Sequence, residues 1–148
     1  MSDPTGDQTL LHASCVSVGG SAVLITGRSG VGKSDLALRL IDRGAALVAD
    51  DCTLVRREGD GLIARAPDTI AGKIEVRGIG ILRFAHRTDM PVRLMVSLDA
   101  PADRMPDRDV TREVLGVAVP IIRIAAYEAS APIKVELALR YGAGEQEG

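Results

Sequence analysis

The apolar run Ala22-Val23-Leu24-Ile25-Thr26 leads straight into Gly27-Arg28-Ser29-Gly30-Val31-Gly32-Lys33-Ser34, and the residues from Ser34 to Arg43 have helical composition. A strand, a glycine-rich turn and a helix start in that order aim several backbone N–H groups at one point. An anion placed there replaces the missing helical partners. The octapeptide satisfies the pattern G-x-x-x-x-G-K-[ST] in full, in which Lys33 supplies a point charge for phosphates and Ser34 a hydroxyl for Mg²⁺. Apolar residues at 36, 37, 40 and 41 give the helix a buried stripe, and Gly44 stops it. The segment predicts binding of a nucleoside triphosphate through Gly27, Arg28, Ser29, Gly30, Val31, Gly32, Lys33 and Ser34.

The rest of the composition narrows the function classes. With 148 residues, 46% hydrophobic and 26% charged, the chain has the balance of one globular domain. A formal net charge of -2 argues against nucleic acid as the main partner, which calls for a basic excess. Two Tyr, one Phe and no Trp leave little for base stacking. Cys15 and Cys52 form no C-x-x-C pair and read as reduced core thiols. The acidic, polar N-terminus has no signal-peptide pattern, and no apolar run approaches the roughly 20 residues of a membrane span, so the expected location is cytoplasmic, with no membrane partner.

Along the chain, residues 1–9 read as a disordered tail and 143–148 as a flexible one, leaving a single catalytic domain over 10–142. Leu11 to Val18 is expected as a strand, turned by Gly19-Gly20-Ser21 into the strand at 22–26. Ala46 to Ala49 is a further strand, and Cys52 to Arg57 with Leu62 to Ala66 make a hairpin around Glu58-Gly59-Asp60-Gly61. Asp68 to Ala71 predicts a short helix. Lys73 to Arg83 reads as an ordered loop running into a strand. Val92 to Leu98 and Val117 to Ile124 are strands, separated by the charged run Asp99 to Arg112, expected as a loop with a short helix. Ser130 is expected to cap a last helix, Pro132 to Tyr141. Hairpins around one strand–loop–helix unit are not a regular βαβ alternation, so the fold class is α/β with a mixed or largely antiparallel sheet.

Two further segments carry chemistry. Val48-Ala49-Asp50-Asp51 sets two carboxylates at the end of an apolar strand. Alternation along a strand would send one Asp to the phosphates and the other to a structural or metal-supporting place. Glu75-Val76-Arg77-Gly78-Ile79-Gly80-Ile81 packs a carboxylate, a guanidinium and two glycines between apolar residues, where the backbone can approach a ligand. A Glu-Arg surface pair before a glycine turn is the other account of that segment.

Taken together, His12, GRSGVGKSD (27–35), LVADD (47–51), RAPD (65–68) and EVRGIGI (75–81) resemble the catalytic domain of bacterial HPr kinase/phosphorylase. The resemblance implies a mixed-sheet phosphate-loop fold like the nucleotide domain of phosphoenolpyruvate carboxykinase. It implies ATP and Mg²⁺ as cofactors, and a serine of the phosphocarrier protein HPr as acceptor. The reverse reaction would use inorganic phosphate and release pyrophosphate. By motif, Ser34 and Glu75 match the Mg²⁺ positions, and Asp51 matches the residue that accepts the serine proton. His12 and Lys33 match further catalytic positions. Arg104 is the candidate for a downstream catalytic Arg, with Arg112 competing for that role, and a strand histidine with a satisfied hydrogen bond is the other reading of His12.

The chain is similar to the short form of the family found in alphaproteobacteria. It lacks the basic Pro-Val-Arg-Pro-Gly-Arg loop tied to phosphorolysis: Ile122-Arg123-Ile124-Ala125-Ala126-Tyr127-Glu128-Ala129 stands there instead. Weak phosphorolysis is therefore expected. The family also implies a homo-oligomer, a hexamer in its known members. The competing functions are a small-molecule phosphate-loop kinase or NTPase, and a non-catalytic nucleotide-sensing module.

Overall fold

The computed structural model describes residues 7–99 and 110–141. Its strands are β1 (Gln8–Leu11), β2 (Ala13–Val18), β3 (Ser21–Thr26), β4 (Ala46–Ala49), β5 (Thr53–Glu58), β6 (Gly61–Arg65), β7 (Lys73–Val76), β8 (Gly80–Arg83), β9 (Met90–Ser97), β10 (Thr111–Val114) and β11 (Val117–Arg123). Its α-helices are α1 (Lys33–Asp42) and α2 (Ala131–Tyr141), and a 3₁₀ turn at Asp68–Ile70 stands where the sequence predicts a short helix.

Ala22 to Ile25 and Leu94 to Val96 are buried without alternation. Such runs belong in a sheet interior covered on both faces, and β3 and β9 lie there side by side as a parallel pair. Outward from that pair the sheet order is β1-β5-β6-β9-β3-β2-β4, and β11 joins β9 in parallel while hairpinned to β10. All other pairs in the sheet are antiparallel, so the expected mixed sheet is the one observed.

Side-chain alternation along the two central strands builds two cores. Val23, Ile25, Leu94 and Val96 face α1 and α2, where Leu36, Leu40 and Val135 meet them. Leu24 and Met95 face the other way, into a second core closed by Val55 and Leu62 of the β5–β6 hairpin and Val119 and Ile121 of β11. Each fully buried Leu of α1 contributes about 2 kcal/mol relative to exposure. The two helices are also tied by Arg43, whose guanidinium donates to the Glu136 carboxylate at 2.7 Å. Burial pushes the Cys15 thiol up, so it stays protonated in the second core.

Several expectations need correction. The N-terminal tail does not extend to Thr9: Gln8 to Leu11 pairs with Thr53 to Arg56, an edge strand whose bonds come from its partner rather than from an apolar pattern. Residues 1–6 and 142–148 lie outside the described residues. Lys73 to Arg83 is a hairpin, β7 paired with β8 through a turn at Gly78 (φ 87°). Glu75, Arg77 and Arg83 are exposed alongside Ile79 and Ile81, while Ile74 alone is fully buried. Arg112 stands in β10 rather than in a loop, and the expected short helix falls largely outside the described residues. Ser130 supplies the carbonyl that accepts the Lys134 N–H, but its hydroxyl donates to Glu128 at 2.9 Å instead of capping the helix.

Candidate functional site

The phosphate loop opens where β3 ends, and its shape depends on glycine at two places. At Gly27 (φ 154°) a Cβ would fall 2.6 Å from Val31 Cγ1. At Gly32 (φ 114°) it would meet Ala126 Cβ at 3.0 Å and the Tyr127 ring at 3.2 Å. The turn therefore closes on itself at one end and passes under Tyr127 at the other. Gly32 accepts the first α1 bond from the Leu36 N–H, so the N-terminal amides of the helix point into the cleft.

Side chains then fix the loop from outside. Asp99, just beyond β9, accepts from the Arg28 N–H at 2.9 Å and from its guanidinium at 3.2 Å. Lys33 is buried, and its Nζ donates to the Gly27 carbonyl (2.6 Å) and the Arg28 carbonyl (3.1 Å). Held this way, the ammonium stands inside the curve of the loop.

Asp50 is the hub of the opposite wall. Its Oδ1 accepts from the Ser34 hydroxyl at 2.5 Å and from the Ser14 hydroxyl at 3.1 Å, and its Oδ2 accepts from the Glu75 N–H at 3.2 Å. One carboxylate thus joins α1, β2 and β7. Strand alternation does not govern the Asp pair, because β4 ends at Ala49 and Asp51 adopts φ 68°. Both Asp side chains line the same cleft, together with Lys33, Ser34, Glu75 and Arg77.

The sequence-predicted residues separate into two groups. Residues 29, 30, 32, 33 and 34 of the loop, with Asp51 and Glu75, come together in this cleft. His12 is exposed and lines a neighbouring cavity with Gly27, Arg28, Asp99 and Arg112. The two spaces share the phosphate loop as their partition. Val31 packs into the first core, and Arg104 lies outside the described residues.

Sequence reasoning missed Ser14, Asp99 and Tyr127. A carboxylate at the C-terminal end of a central parallel strand is where open α/β sheets bind ligands, and that rule would have flagged Asp99. Ser14 gives no such signal in a buried strand. Tyr127 is carried over Gly32 by a turn whose carbonyls at Ala126 and Glu128 accept from Arg39. The same turn is braced by Lys134 and Ser130, whose hydrogen bonds hold the Glu128 carboxyl below its ordinary range.

Residues 5–139 match the family model described as the HPr serine kinase C-terminal domain. The HPr kinase/phosphorylase of Variovorax paradoxus is 38% identical over 150 residues, covering 90% of this chain and 47% of the relative. That of a Geobacillus strain is 44% identical over 99 residues, covering 62% of this chain and 32% of the relative. The chain thus spans less than half the length of these curated relatives. The solved structure of the Hpr(Ser) kinase/phosphatase from Coxiella burnetii superimposes with a TM-score of 0.76 at 33% identity, covering 89% of this chain and 88% of that one. Phosphate loop, paired carboxylates and matching sheet run through one continuous stretch, and the chain belongs to the HPr serine kinase C-terminal domain family.

Proposed function

We propose that this chain is an ATP-dependent protein serine kinase acting in the cytoplasm on an HPr-type phosphocarrier protein. The observation that carries the reading is the cleft in which Ser29, Gly30, Gly32, Lys33 and Ser34 of the phosphate loop line one space with Asp50, Asp51 and Glu75. A module that only senses nucleotide needs the loop but not a carboxylate poised beside it. Family membership and the names of the relatives support HPr as the acceptor over a small molecule.

The donor set suits magnesium. Ser34, Asp50 and Glu75 offer hard oxygen ligands, and among the described residues no three His, Cys, Asp or Glu side chains form a metal cage. Mg²⁺ binds in this manner, through one or two carboxylates together with substrate phosphates. When bound, the cation neutralises charge on the phosphates.

The protein's own residues do the rest. Loop amides and Lys33 hold the β- and γ-phosphates, and Asp51 takes the proton from the attacking serine hydroxyl. The serine O–P bond forms as the bond from the γ-phosphorus to the bridging oxygen breaks, and ADP leaves. This chemistry asks mainly for positioning and charge stabilisation, which the cross-braced cleft is built to provide. His12 and Arg112 line the neighbouring cavity across the loop.

The test is incubation with labelled ATP, Mg²⁺ and HPr, followed by identification of the labelled residue. Phosphoserine on HPr is the expected result, and label released only as free phosphate would favour an NTPase. Supplying phospho-HPr and inorganic phosphate instead should yield little pyrophosphate, because the segment 122–129 offers only Arg123 to neutralise two anions.

A further inference from the structure

Ser14 belongs to neither the phosphate loop nor the carboxylate turn, yet it touches both Asp residues of the cleft. It lies fully buried in β2 between the apolar residues Ala13 and Cys15. Its hydroxyl donates to Asp50 Oδ1 at 3.1 Å and accepts from the Asp51 N–H at 3.0 Å. A single oxygen therefore clamps the Asp50-Asp51 step at both ends, at the carboxylate of one residue and the amide of the next.

Both ends need holding. Asp50 Oδ1 is shared with the Ser34 hydroxyl, so its rotation would move the carboxylate away from the phosphate loop. Asp51 has φ 68°, a left-handed conformation that is uncommon for residues with a Cβ, though less so for Asp than for most, and that a hydrogen bond to its amide helps to hold. A hydroxyl can donate and accept at once, and no apolar side chain of the same size can replace it. The β2 backbone beside Ser14 is itself anchored, since the buried Thr53 hydroxyl donates to the Ala13 carbonyl at 2.7 Å.

We propose that Ser14 is a positioning residue for phosphoryl transfer: its hydroxyl fixes Asp50 on Ser34 and holds Asp51 in the orientation from which it accepts the serine proton. The proposal rests on the kinase reading of the cleft. Among the described residues the Ser14 hydroxyl makes no hydrogen bond to the loop amides or to Lys33, so its removal should leave nucleotide capture largely intact.

The experiment compares Ser14→Thr with Ser14→Val, which add nearly the same bulk to a buried position and differ in the hydroxyl. Two quantities are read: steady-state HPr phosphorylation, and hydrogen exchange of the Asp51 amide followed by NMR. The Thr variant should keep kcat within about threefold of wild type. The Val variant should lose about tenfold or more in kcat, the scale of a misplaced reacting group, with KM for ATP within about twofold. The Asp51 amide should exchange about tenfold faster in Val than in Thr, as expected for loss of one hydrogen bond. Equal kcat in the two variants, or equal exchange, would overturn the proposal. A wild-type protein that transfers nothing to HPr would instead refute the kinase reading, and the exchange comparison would then decide the clamp by itself.

Discussion

The two walls of the cleft are built on opposite principles. The phosphate-loop wall is pinned from several directions, by Asp99 on Arg28, by the Lys33 ammonium on its own loop carbonyls, and by Asp50 on Ser34. The β7–β8 wall stands largely in solvent, with Ile79 and Ile81 72% and 68% exposed, and reaches the hub through the single Glu75 N–H. The contrast separates two jobs. Fixed donors are required where charge develops on a transferring group, because reorganisation at that moment costs rate. A wall that contributes one carboxylate and an apolar outer surface has no need of the same bracing.

Disabling the pinned wall should have the largest effect. Lys33→Ala is expected to lower HPr phosphorylation by about 10³-fold, since charge at the transferring phosphates goes uncompensated. Near-native circular dichroism would show that the fold survives, and wild-type turnover in this variant would remove the loop from the mechanism.

On the other wall, Glu75→Gln removes one anionic oxygen from the proposed cation site. A several-fold increase in the Mg²⁺ concentration at half-maximal rate is expected, with the maximal rate recovered at high Mg²⁺. An unchanged magnesium titration would count against the ligand role. The smallest effect belongs to Ile81→Ser, which should change stability by no more than about 0.5 kcal/mol in denaturant unfolding, the range for exposed positions. A larger loss would mean that the hairpin is held by more than β7.

The same contrast explains what was legible in the sequence. Gly27, Gly32, Lys33 and Ser34 announce themselves because each is required by backbone conformation or by charge at a fixed spacing. The central strands could be read because burial on both faces leaves no room for polar alternation. β1 and the β7–β8 hairpin were harder, since exposed edge strands carry polar residues and owe their existence to a partner. The Asp pair was visible as chemistry but not as geometry: strand alternation stops at Ala49, and a left-handed Asp51 turns both carboxylates into one space. Ser14 and Asp99 act through contacts made across β2 and β9, and their roles depend on a sheet order that places non-consecutive strands side by side.

We propose that transfer to serine takes place in the pinned cleft with Asp51 as the proton acceptor. Single-turnover phosphorylation of HPr by Asp51→Asn, begun from a preformed complex with ATP and Mg²⁺, isolates that step. A fall of at least about 10²-fold in the transfer rate is expected, the usual worth of a positioned base, with ATP affinity within about threefold of wild type. A transfer rate equal to wild type from the same complex would contradict it.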